Sequence, residues 1–387
     1  MIGTTSTRDD ESRSTDTLGS PRFVLAPMVG QSELAWRLLA RNHGAQLCFT
    51  PMLHAGLFYR DSRYRQQALD PGTGGENDRP LVLQFCANDP LTFTGAGKLA
   101  QHCCDAVDLN LGCPQMIARR GHYGSFLQDE WQLIHDIVSL AANELEVPVS
   151  CKVRIFADIR RTVEYACMLE KAGCKLLVVH GRTREQKGHE MGLASWKHIS
   201  AVRQAVSIPV VANGNVQSLT DAECCLRETG AHGVMSADGH LHNPAIFEGR
   251  SPPVWEISTE YLELAQQHSI GCSSVRAHLF RLWHKSLPLN PDLREELATA
   301  RSVTDMADID ARLAARCQLE AKCQGNTNTH HWLCQPHFRN QIHEIEEVHF
   351  NIDHQRHGDE GKEGNGDKML KEMSDEKLPL SEKLIQV

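Results

Sequence analysis

Short apolar runs recur along the first two thirds of this 387-residue chain, and most are followed by a stretch with helical spacing. The runs are rich in Val, Leu and Ile without strict alternation, which is typical of parallel strands covered on both faces. We predict eight strands from them: Phe23–Met28, Gln46–Thr50, Leu81–Phe85, Ala106–Leu111, Val149–Arg154, Leu176–His180, Val210–Asn213 and Gly233–Ser236.

The segments between the runs predict the helices of an α/β fold. The clearest are Glu33–Arg41, Trp131–Leu145, Val163–Ala172, Trp196–Val206 and Leu219–Thr229. Eight strand–helix units within about 230 residues indicate a (β/α)8 TIM barrel, which typically takes about 250 residues. A doubly wound sheet is the alternative, but no Gly-x-Gly-x-x-Gly follows the first strand.

Changes in composition divide the remainder of the chain. We expect a disordered N-terminal segment (1–20), the barrel (21–250), a small helical domain (251–322), a Cys/His-containing segment (323–340) and a disordered acidic tail (341–387). In the helical domain, Arg276, Arg281, His284 and Lys285 are expected to project from one helix.

Polar side chains occur near the ends of several predicted strands, where TIM barrels carry their catalytic groups. Lys152 supplies a cation suited to a ring system that becomes anionic, although a neutralising role inside the barrel is the alternative. Gln84, His180 and Asn213 offer donors and acceptors to a planar heterocycle, while a histidine alone is more often structural. Together these residue types favour a polar, planar cofactor.

The segments after the last two predicted strands are candidates for a phosphate site. Barrels commonly bind phosphate there through backbone N–H groups. A phosphate tail, a polar heterocycle and a lysine near a reducible ring describe FMN. The expected FMN contacts are Pro27, Met28, Val29, Gln84, Lys152, His180, Asn213, Gly214, Asn215, Ala237 and Asp238.

Cys113 lies in the run Asn-Leu-Gly-Cys-Pro, which places a thiol on a tight turn after the fourth predicted strand. Gly112 allows a sharp bend, and Pro114 prevents regular pairing beyond it. A thiol placed in this way can act as an acid or a nucleophile. A buried structural cysteine is the alternative, and it suits most of the fourteen cysteines.

The motifs of residues 22–248 resemble those of the tRNA dihydrouridine synthase family, FMN-containing barrels that reduce uridines in tRNA. The matching pieces are Ala26–Met28, Asp108–Gln115 followed by Gly121-x-x-Gly124, Lys152–Arg154, His180–Thr183, Asn213–Asn215 and Met235–Pro244. The Gly-Cys-Pro-Gln and Ala-Asp-Gly variants resemble the eukaryotic class that acts on D-loop positions 16 and 17. The general family pattern has Gly-Arg in place of Ala237-Asp238, which leaves the phosphate to backbone donors.

This resemblance implies a mechanism. Reduced FMN would deliver hydride to C6 of the uracil ring, and Cys113 would protonate C5 as a general acid. A thiol with a reference pKa of about 8.5 stays protonated near neutral pH. By family analogy NADPH would reduce the flavin. The expected substrate contacts are Asn110, Arg119, Arg120, Arg154 and Arg182. The resemblance also implies that the helical domain (251–322) binds tRNA against the barrel mouth, although a bundle that only covers the barrel surface is the alternative.

The formal net charge of −9 is unusual for an RNA-binding protein. Residues 341–387 carry twelve acidic and six basic side chains, and residues 1–20 carry four and two, which leaves −1 for residues 21–340. A local patch of arginines near the strand ends can still attract phosphate. Two other hypotheses are a dihydroorotate dehydrogenase-like reductase of a free pyrimidine and a redox-inactive tRNA-binding protein.

Cellular context is inferred from weaker signals. No apolar run suits a signal peptide or a membrane span, and many cysteines without regular spacing favour a reducing compartment. We therefore expect a cytoplasmic protein, with nuclear access possible, that is a monomer and binds no membrane. The spacing of Cys317, Cys323 and Cys334 differs from a compact zinc site, so no metal is expected.

Overall fold

The computed structural model describes residue 18 and residues 20–188, 191–324 and 330–336. Its strands are β1 (Phe23–Leu25), β2 (Leu47–Phe49), β3 (Leu53–His54), β4 (Leu81–Cys86), β5 (Ala106–Leu111), β6 (Val149–Arg154), β7 (Leu176–His180), β8 (Val210–Asn213) and β9 (Gly233–Ser236). All neighbouring strands pair in parallel. β1 pairs with β9 and β2, and β2 pairs with β4, so the sheet closes into the predicted TIM barrel.

Helices occupy most of the connections between strands. They are α1 (Leu34–Asn42), α2 (Ala55–Arg60), α3 (Ser62–Ala68), α4 (Pro90–Ala100), α5 (Met116–Gly121), α6 (Trp131–Glu144), α7 (Ile159–Lys171), α8 (Trp196–Ala205), α9 (Leu219–Thr229) and α10 (Asp238–His242). After the barrel come α11 (Val254–Gln267), α12 (Cys272–Leu282), α13 (Pro291–Thr299) and α14 (Val303–Gln324). These last four helices form the helical bundle, which lies within the range expected for the helical domain.

The first two strands differ most from their predicted bounds. β1 ends at Leu25, three residues before the predicted end at Met28. Met28 instead begins a turn, since its carbonyl oxygen accepts from the backbone N–H groups of Gln31 and Ser32, each at 3.1 Å. β2 and β3 lie one after the other along β4, on either side of Pro51, which lacks the N–H needed to continue the pairing.

The bundle is attached to the barrel through a cluster that we call the joint: Glu33, Trp36, Tyr261 and His278. The Tyr261 hydroxyl donates to Glu33 Oε1 at 2.9 Å, and His278 Nε2 lies 3.1 Å from Glu33 Oε2. The His278 ring stacks on the indole of Trp36 with 3.8 Å between centroids. Burial opposes ionisation of Glu33, but His278 and the hydrogen bonds prevail and lower its pKa. The joint therefore holds a buried carboxylate in its charged form.

Arg276, expected to project from its helix, is directed toward α13. Its guanidinium donates to the backbone carbonyls of Leu297 and Ala300, so it links α12 to the end of α13. Arg281 lies 3.8 Å from the carboxylate of Asp238 at the edge of the barrel. These two arginines therefore fasten parts of the fold to each other.

Residues 330–336 of the Cys/His segment close the bundle. The backbone N–H of Val254 donates to Trp332 O, and that of Cys334 donates to Pro252 O, both at 2.8 Å. His331 lies 2.9 Å from Ser286 Oγ through one ring nitrogen, and the other contacts α14. Among the described residues, no cluster of three or more His, Cys, Asp or Glu side chains is arranged to hold a metal.

The expected disordered tail at 341–387 lies outside the described residues, as does nearly all of the expected N-terminal segment. Within the described ranges, none of the helices combines the length and apolarity that a membrane crossing requires.

Candidate active site

The carboxyl ends of β4 to β8 bring the predicted site residues to one mouth of the barrel. Strand register places Asn110 beside Lys152 and His180 beside Asn213. Gln84 on β4 lies beside Asp108 on β5 by the same pairing. Polar side chains from five neighbouring strands therefore face one region, as expected of a TIM-barrel active site.

The Cys113 turn, residues Gly112 to Pro114, is held at both its N–H groups and its carbonyls. Asn110 Oδ1 accepts from the N–H groups of Gly112 at 3.1 Å and Cys113 at 2.9 Å. The Cys113 carbonyl accepts from the N–H and the hydroxyl of Ser125, at 3.1 and 2.9 Å. These contacts fix the backbone from which the thiol projects.

Arg154 and Lys187 hold the carbonyls on either side of Cys113. Arg154 Nε donates to Gly112 O at 2.9 Å, and Lys187 Nζ donates to Pro114 O at 3.3 Å. Arg154 Nη1 also donates to Thr183 O at 2.7 Å, in the loop after β7. Burial, with the nearby positive charge of Arg182, lowers the pKa of Arg154 to about 10. Arg154, predicted as a substrate contact, thus braces the turn against a second loop.

The environment of the Cys113 side chain keeps its thiol protonated. The side chain is partly buried and packs against a small cluster formed by Cys86, Ala118 and Tyr123. Burial raises the pKa of the thiol, and the opposing effects of a backbone hydrogen bond and of Arg154 are smaller. Cys113 therefore has the protonation state that a general acid requires near neutral pH.

Lys152 is a cation with a neutral partner. Its Nζ donates to Asn213 Oδ1 at 3.0 Å, and the Asn213 amide donates in turn to Met235 O at 2.9 Å. Burial and the positive charge of Arg154 lower the pKa of Lys152 to about 8. This arrangement suits a ligand that carries or develops negative charge, because such a ligand would restore the charge balance.

His180 is a neutral imidazole in this setting. Burial lowers its pKa well below the ordinary value, and the charges of Lys152, Arg154 and Arg182 lower it further. Arg182 Nη1 lies 3.2 Å from His180 Nε2, so the histidine accepts from the arginine. Arg182 Nη2 also donates to Asn215 Oδ1 at 2.9 Å. Arg182, predicted as a substrate contact, is held in place by these partners.

Gly214 and Asn215 shape the loop after β8. Asn215 has φ +64° and its side-chain amide bonds to both backbone groups of Ala194, at 2.9 and 3.0 Å. Gly214 has φ +113°, and a Cβ there would lie 2.6 Å from the Ala194 Cβ. The Asn215 side chain is thus used within the protein, so its predicted contact with FMN would fall to the backbone.

The predicted contacts after β1 and β9 also reach the mouth. Pro27 is partly buried, Met28 is buried and Val29 is 45% exposed, which offers a small apolar surface. Ala237 immediately precedes α10, while the Asp238 carboxylate is directed to Arg281 of the bundle. Asp238 therefore has only its backbone to offer to a phosphate.

Residues 24–309 match the family described as dihydrouridine synthase (Dus). The chain belongs to this family. It is 58% identical over 330 residues to a Mus musculus protein named as a tRNA-dihydrouridine(16/17) synthase-like protein, covering 84% of this chain and 69% of that one. The dihydrouridine synthase resemblance predicted from the motifs is therefore confirmed.

Two further relatives show how the similarity falls with the named position. A Saccharomyces cerevisiae tRNA-dihydrouridine(16/17) synthase is 40% identical over 359 residues, covering 84% of this chain and 85% of the relative. A Homo sapiens protein named for positions 20a/20b is 35% identical over 265 residues, covering 68% and 82%. All three names share tRNA and dihydrouridine; the first two relatives are named for positions 16/17 and the third for 20a/20b.

In this dihydrouridine synthase, the remaining predicted substrate contacts lie on α5, directly after the Cys113 turn. Arg119 and Arg120 are both exposed there. Sequence reasoning missed the helix itself and the exposed side chains of Met116 and Ile117, which are 50% and 67% accessible. Their unusual exposure is visible only once the helix is placed on the barrel. The result is a mixed apolar and basic surface beside the thiol.

Sequence reasoning also missed Ser125 and Asp108 as parts of this dihydrouridine synthase site. Ser125 follows the second glycine of the Gly-x-x-Gly motif, which could have drawn attention to it. Asp108 lies within the quoted motif and is completely buried. Its position on the same face of β5 as Asn110, two residues along, was the available signal.

Proposed function

We propose that this protein reduces uridine to dihydrouridine at positions 16 and 17 of tRNA. The observation that carries the proposal is Cys113, a protonated thiol on a braced turn at the barrel mouth. Two relatives with 58% and 40% identity are named for the same positions, which supports the choice of uridine.

We infer that the cofactor is FMN. The residues at the mouth fit this group: a lysine with a neutral partner, a neutral imidazole, and a glycine whose missing Cβ lets the loop after β8 lie against Ala194 and His180. When bound, the flavin supplies a hydride to C6 of the uracil ring. NADPH is the proposed reductant, supported by the NAD(P)(+) that appears in the relatives' names.

Cys113 completes the reduction by giving its proton to C5. The C5–C6 double bond is lost, C6 gains the hydride and C5 gains the thiol proton. The Cys113 thiolate that remains lies near the positive charges of Arg154 and Lys152, which stabilise it until solvent returns a proton. General acid catalysis of this kind contributes about 10²–10⁴-fold to rate.

The substrate base has to leave its stack to reach Cys113, because C5 and C6 are covered in a stacked nucleotide. In an unpaired D-loop, moving the base out of its stack requires little free energy. We propose that Arg119 and Arg120 bind the flanking phosphates and that Met116 and Ile117 contact the displaced base, because all four side chains are exposed. Binding that depends on such phosphate contacts weakens as salt concentration rises.

A reductase of a free pyrimidine is the less favoured alternative, since the family match spans 24–309 and reaches into the bundle. A redox-inactive tRNA-binding protein is disfavoured because Cys113, Lys152 and His180 all meet at the mouth. Both alternatives make distinct predictions for the same assay.

The test compares wild type with Cys113→Ala and Cys113→Ser. Each purified protein is scored for flavin by its visible spectrum and incubated with NADPH and unmodified tRNA. Dihydrouridine is measured by mass spectrometry. We expect product from wild type and a loss of about 10²–10⁴-fold in the variants with flavin retained. Reduction of a free pyrimidine without tRNA product would support the first alternative. Absence of flavin from purified wild type would support the second.

A further inference from the structure

A continuous chain of hydrogen bonds links a buried carboxylate to the Cys113 turn. Asp108 Oδ2 accepts from Gln84 Nε2 at 2.8 Å. Gln84 Oε1 accepts from Asn110 Nδ2, also at 2.8 Å. Asn110 Oδ1 then accepts from the Cys113 N–H at 2.9 Å. Asp108, Gln84 and Asn110 are each less than a tenth exposed, so water does not compete for these contacts.

The order of donors and acceptors along this series of hydrogen bonds is set by its buried end, Asp108. An amide side chain has one accepting and one donating end, and a half-turn exchanges them. An ionised carboxylate only accepts, so Asp108 fixes the NH2 of Gln84 toward itself and the Gln84 oxygen toward Asn110. The Asn110 NH2 must then face Gln84, which leaves its oxygen for the turn. If Asn110 were reversed, its NH2 would meet the N–H of Cys113, and two donors would face each other.

We propose that Asp108 is a positioning residue that acts through the amides of Gln84 and Asn110 to hold the Cys113 thiol at its proton-transfer distance. This inference rests on the proposed function, because it assigns Asp108 to the protonation step. Gln84 and Asn110 were predicted to contact cofactor and substrate. In this arrangement their side-chain amides bond to Asp108, to each other and to the Cys113 turn.

The remaining contacts of Asp108 support a role other than simple charge pairing. Its second oxygen accepts from Ser150 Oγ at 2.7 Å. Both direct partners are neutral, and Lys152 acts on it only at longer range. Burial raises the pKa of Asp108 to about 6, so near neutral pH it is mostly ionised and accepts as the chain requires. Burying a carboxylate without a hydrogen-bonded cation costs folding free energy. This cost is explained if the hydrogen bonds of Gln84 and Asn110 require a group at position 108 that only accepts.

The decisive variant is Asp108→Asn, which keeps the shape but lets either end of residue 108 face Gln84. Flavin-loaded protein is assayed for kcat and KM with tRNA, and separately for flavin reduction by NADPH, a step without Cys113. We expect kcat to fall by about tenfold to a hundredfold, as for a reacting group displaced by a fraction of an ångström. Flavin content, KM for tRNA and the flavin reduction rate should change by less than about twofold.

Ser150→Ala is the matched control, since it removes the other partner of the same carboxylate and leaves the amides in place. Its kcat should stay within about threefold of wild type. An equal loss of kcat in both variants would mean that any disturbance of Asp108 suffices, and the proposal would be wrong. Loss of flavin or slower flavin reduction in Asp108→Asn would also overturn it, by assigning Asp108 to the cofactor.

A double variant tests the direction of the chain. In Asp108→Asn with Gln84→Glu, the carboxylate moves one step along and still accepts from the Asn110 NH2. We expect the double variant to recover part of the kcat that Asp108→Asn loses. If Asp108 only stabilised the fold, the second substitution would lower kcat further. The double variant also provides a second measurement if Asp108→Asn does not fold.

Alkylation of Cys113 by iodoacetamide, followed at its own peptide by mass spectrometry, separates this inference from the proposed function. The alkylation rate at Cys113 should differ between wild type and Asp108→Asn but be the same in wild type and Ser150→Ala. If wild type made no dihydrouridine, the proposed function would fail while this comparison still reported on the thiol. Identical rates in all three proteins would overturn the positioning role.

Discussion

The Cys113 turn and the joint both depend on buried polar side chains, yet they use them for different purposes. At the turn, an amide and a hydroxyl hold the N–H groups and the carbonyl of a short backbone segment. At the joint, the carboxylate of Glu33 faces His278 across the boundary between barrel and bundle. Hydrogen bonds to the backbone place atoms accurately, whereas a buried carboxylate with a lowered pKa adds attachment that depends on pH. The comparison separates residues that position a site from residues that hold the fold together.

The largest effect on stability is expected at the joint, from Glu33→Gln. Glu33→Gln removes the charge from two buried hydrogen bonds, and a hydrogen bond to a charged group contributes about 1.5–3 kcal/mol. The lowered pKa of Glu33 means that its contribution is present above the carboxyl's unfolded pKa and is lost as pH falls through the folded value. Urea unfolding at about pH 7 and about pH 4 should show the wild-type advantage shrinking in acid. A loss below about 1 kcal/mol at pH 7 would contradict the importance of the pair.

Asp310 in the bundle should give a pH dependence of the opposite sign. Its carboxylate accepts from Trp283 Nε1 at 2.6 Å and from Ser258 Oγ at 3.0 Å, and burial raises its pKa to about 6. A raised folded pKa contributes stability below the unfolded value that is lost as pH rises through about 6. Relative to Asp310→Asn, wild type should therefore lose about 2–3 kcal/mol between acid and neutral pH. Parallel unfolding curves for the two proteins across this range would disprove the assignment.

At the turn, Gly124→Ala should affect activity more than stability. Gly124 has φ +66°, and a Cβ there would lie 2.8 Å from the Cys113 carbonyl oxygen and 3.0 Å from its Cβ. Left-handed backbone costs a non-glycine residue about 1–2 kcal/mol, and the contact would also shift Cys113. Gly230→Ala is the matched control, because Gly230 has φ +67° with nothing within 4 Å of the added Cβ.

We expect both glycine variants to lose thermal stability, Gly124→Ala more because of its added contact, while only Gly124→Ala loses about tenfold or more in kcat. Thermal unfolding and tRNA assays on the same flavin-loaded samples measure both. Equal kcat in the two variants would show that the turn tolerates displacement, and that its hydrogen bonds serve folding alone.

The smallest effect is expected from Glu260→Gln, a second histidine–carboxylate pair between the barrel and the bundle. His43 Nε2 lies 3.0 Å from Glu260 Oε2, but the Glu260 side chain is 33% exposed. Solvent screening limits such a pair to about 1 kcal/mol or less. Measuring the free energy of unfolding of Glu260→Gln and of Glu33→Gln under the same conditions compares a partly exposed pair with a buried one. A loss as large as that at Glu33 would show that burial does not explain the difference.

The barrel could be predicted from the sequence because parallel strands covered on both faces form uninterrupted apolar runs. The observed bounds of β5 to β9 equal the predicted ones. Short elements such as β3 and α5 were missed, since two to six residues carry too little periodicity to detect.

The residues of the site were predictable where a strand ends, but their partners were not. Gln84, Lys152, His180 and Asn213 share the mouth because each lies at or near a strand's carboxyl end. The contact of Arg154 with Thr183 depends on how the loop after β7 returns, and the bond from Gln84 to Asp108 depends on strand register. Neither the loop path nor the register could be obtained from local patterns.

The antiparallel contact between Pro252–Val254 and Trp332–Cys334 brings the entrance and the exit of the bundle to the same place. A unit whose two ends are adjacent can be inserted, exchanged or removed without rerouting the chain that carries it. A different bundle attached to the chain at this position, with partners kept for Glu33 and His43, would change the surface beside the barrel mouth while the strands that carry Cys113 keep their arrangement.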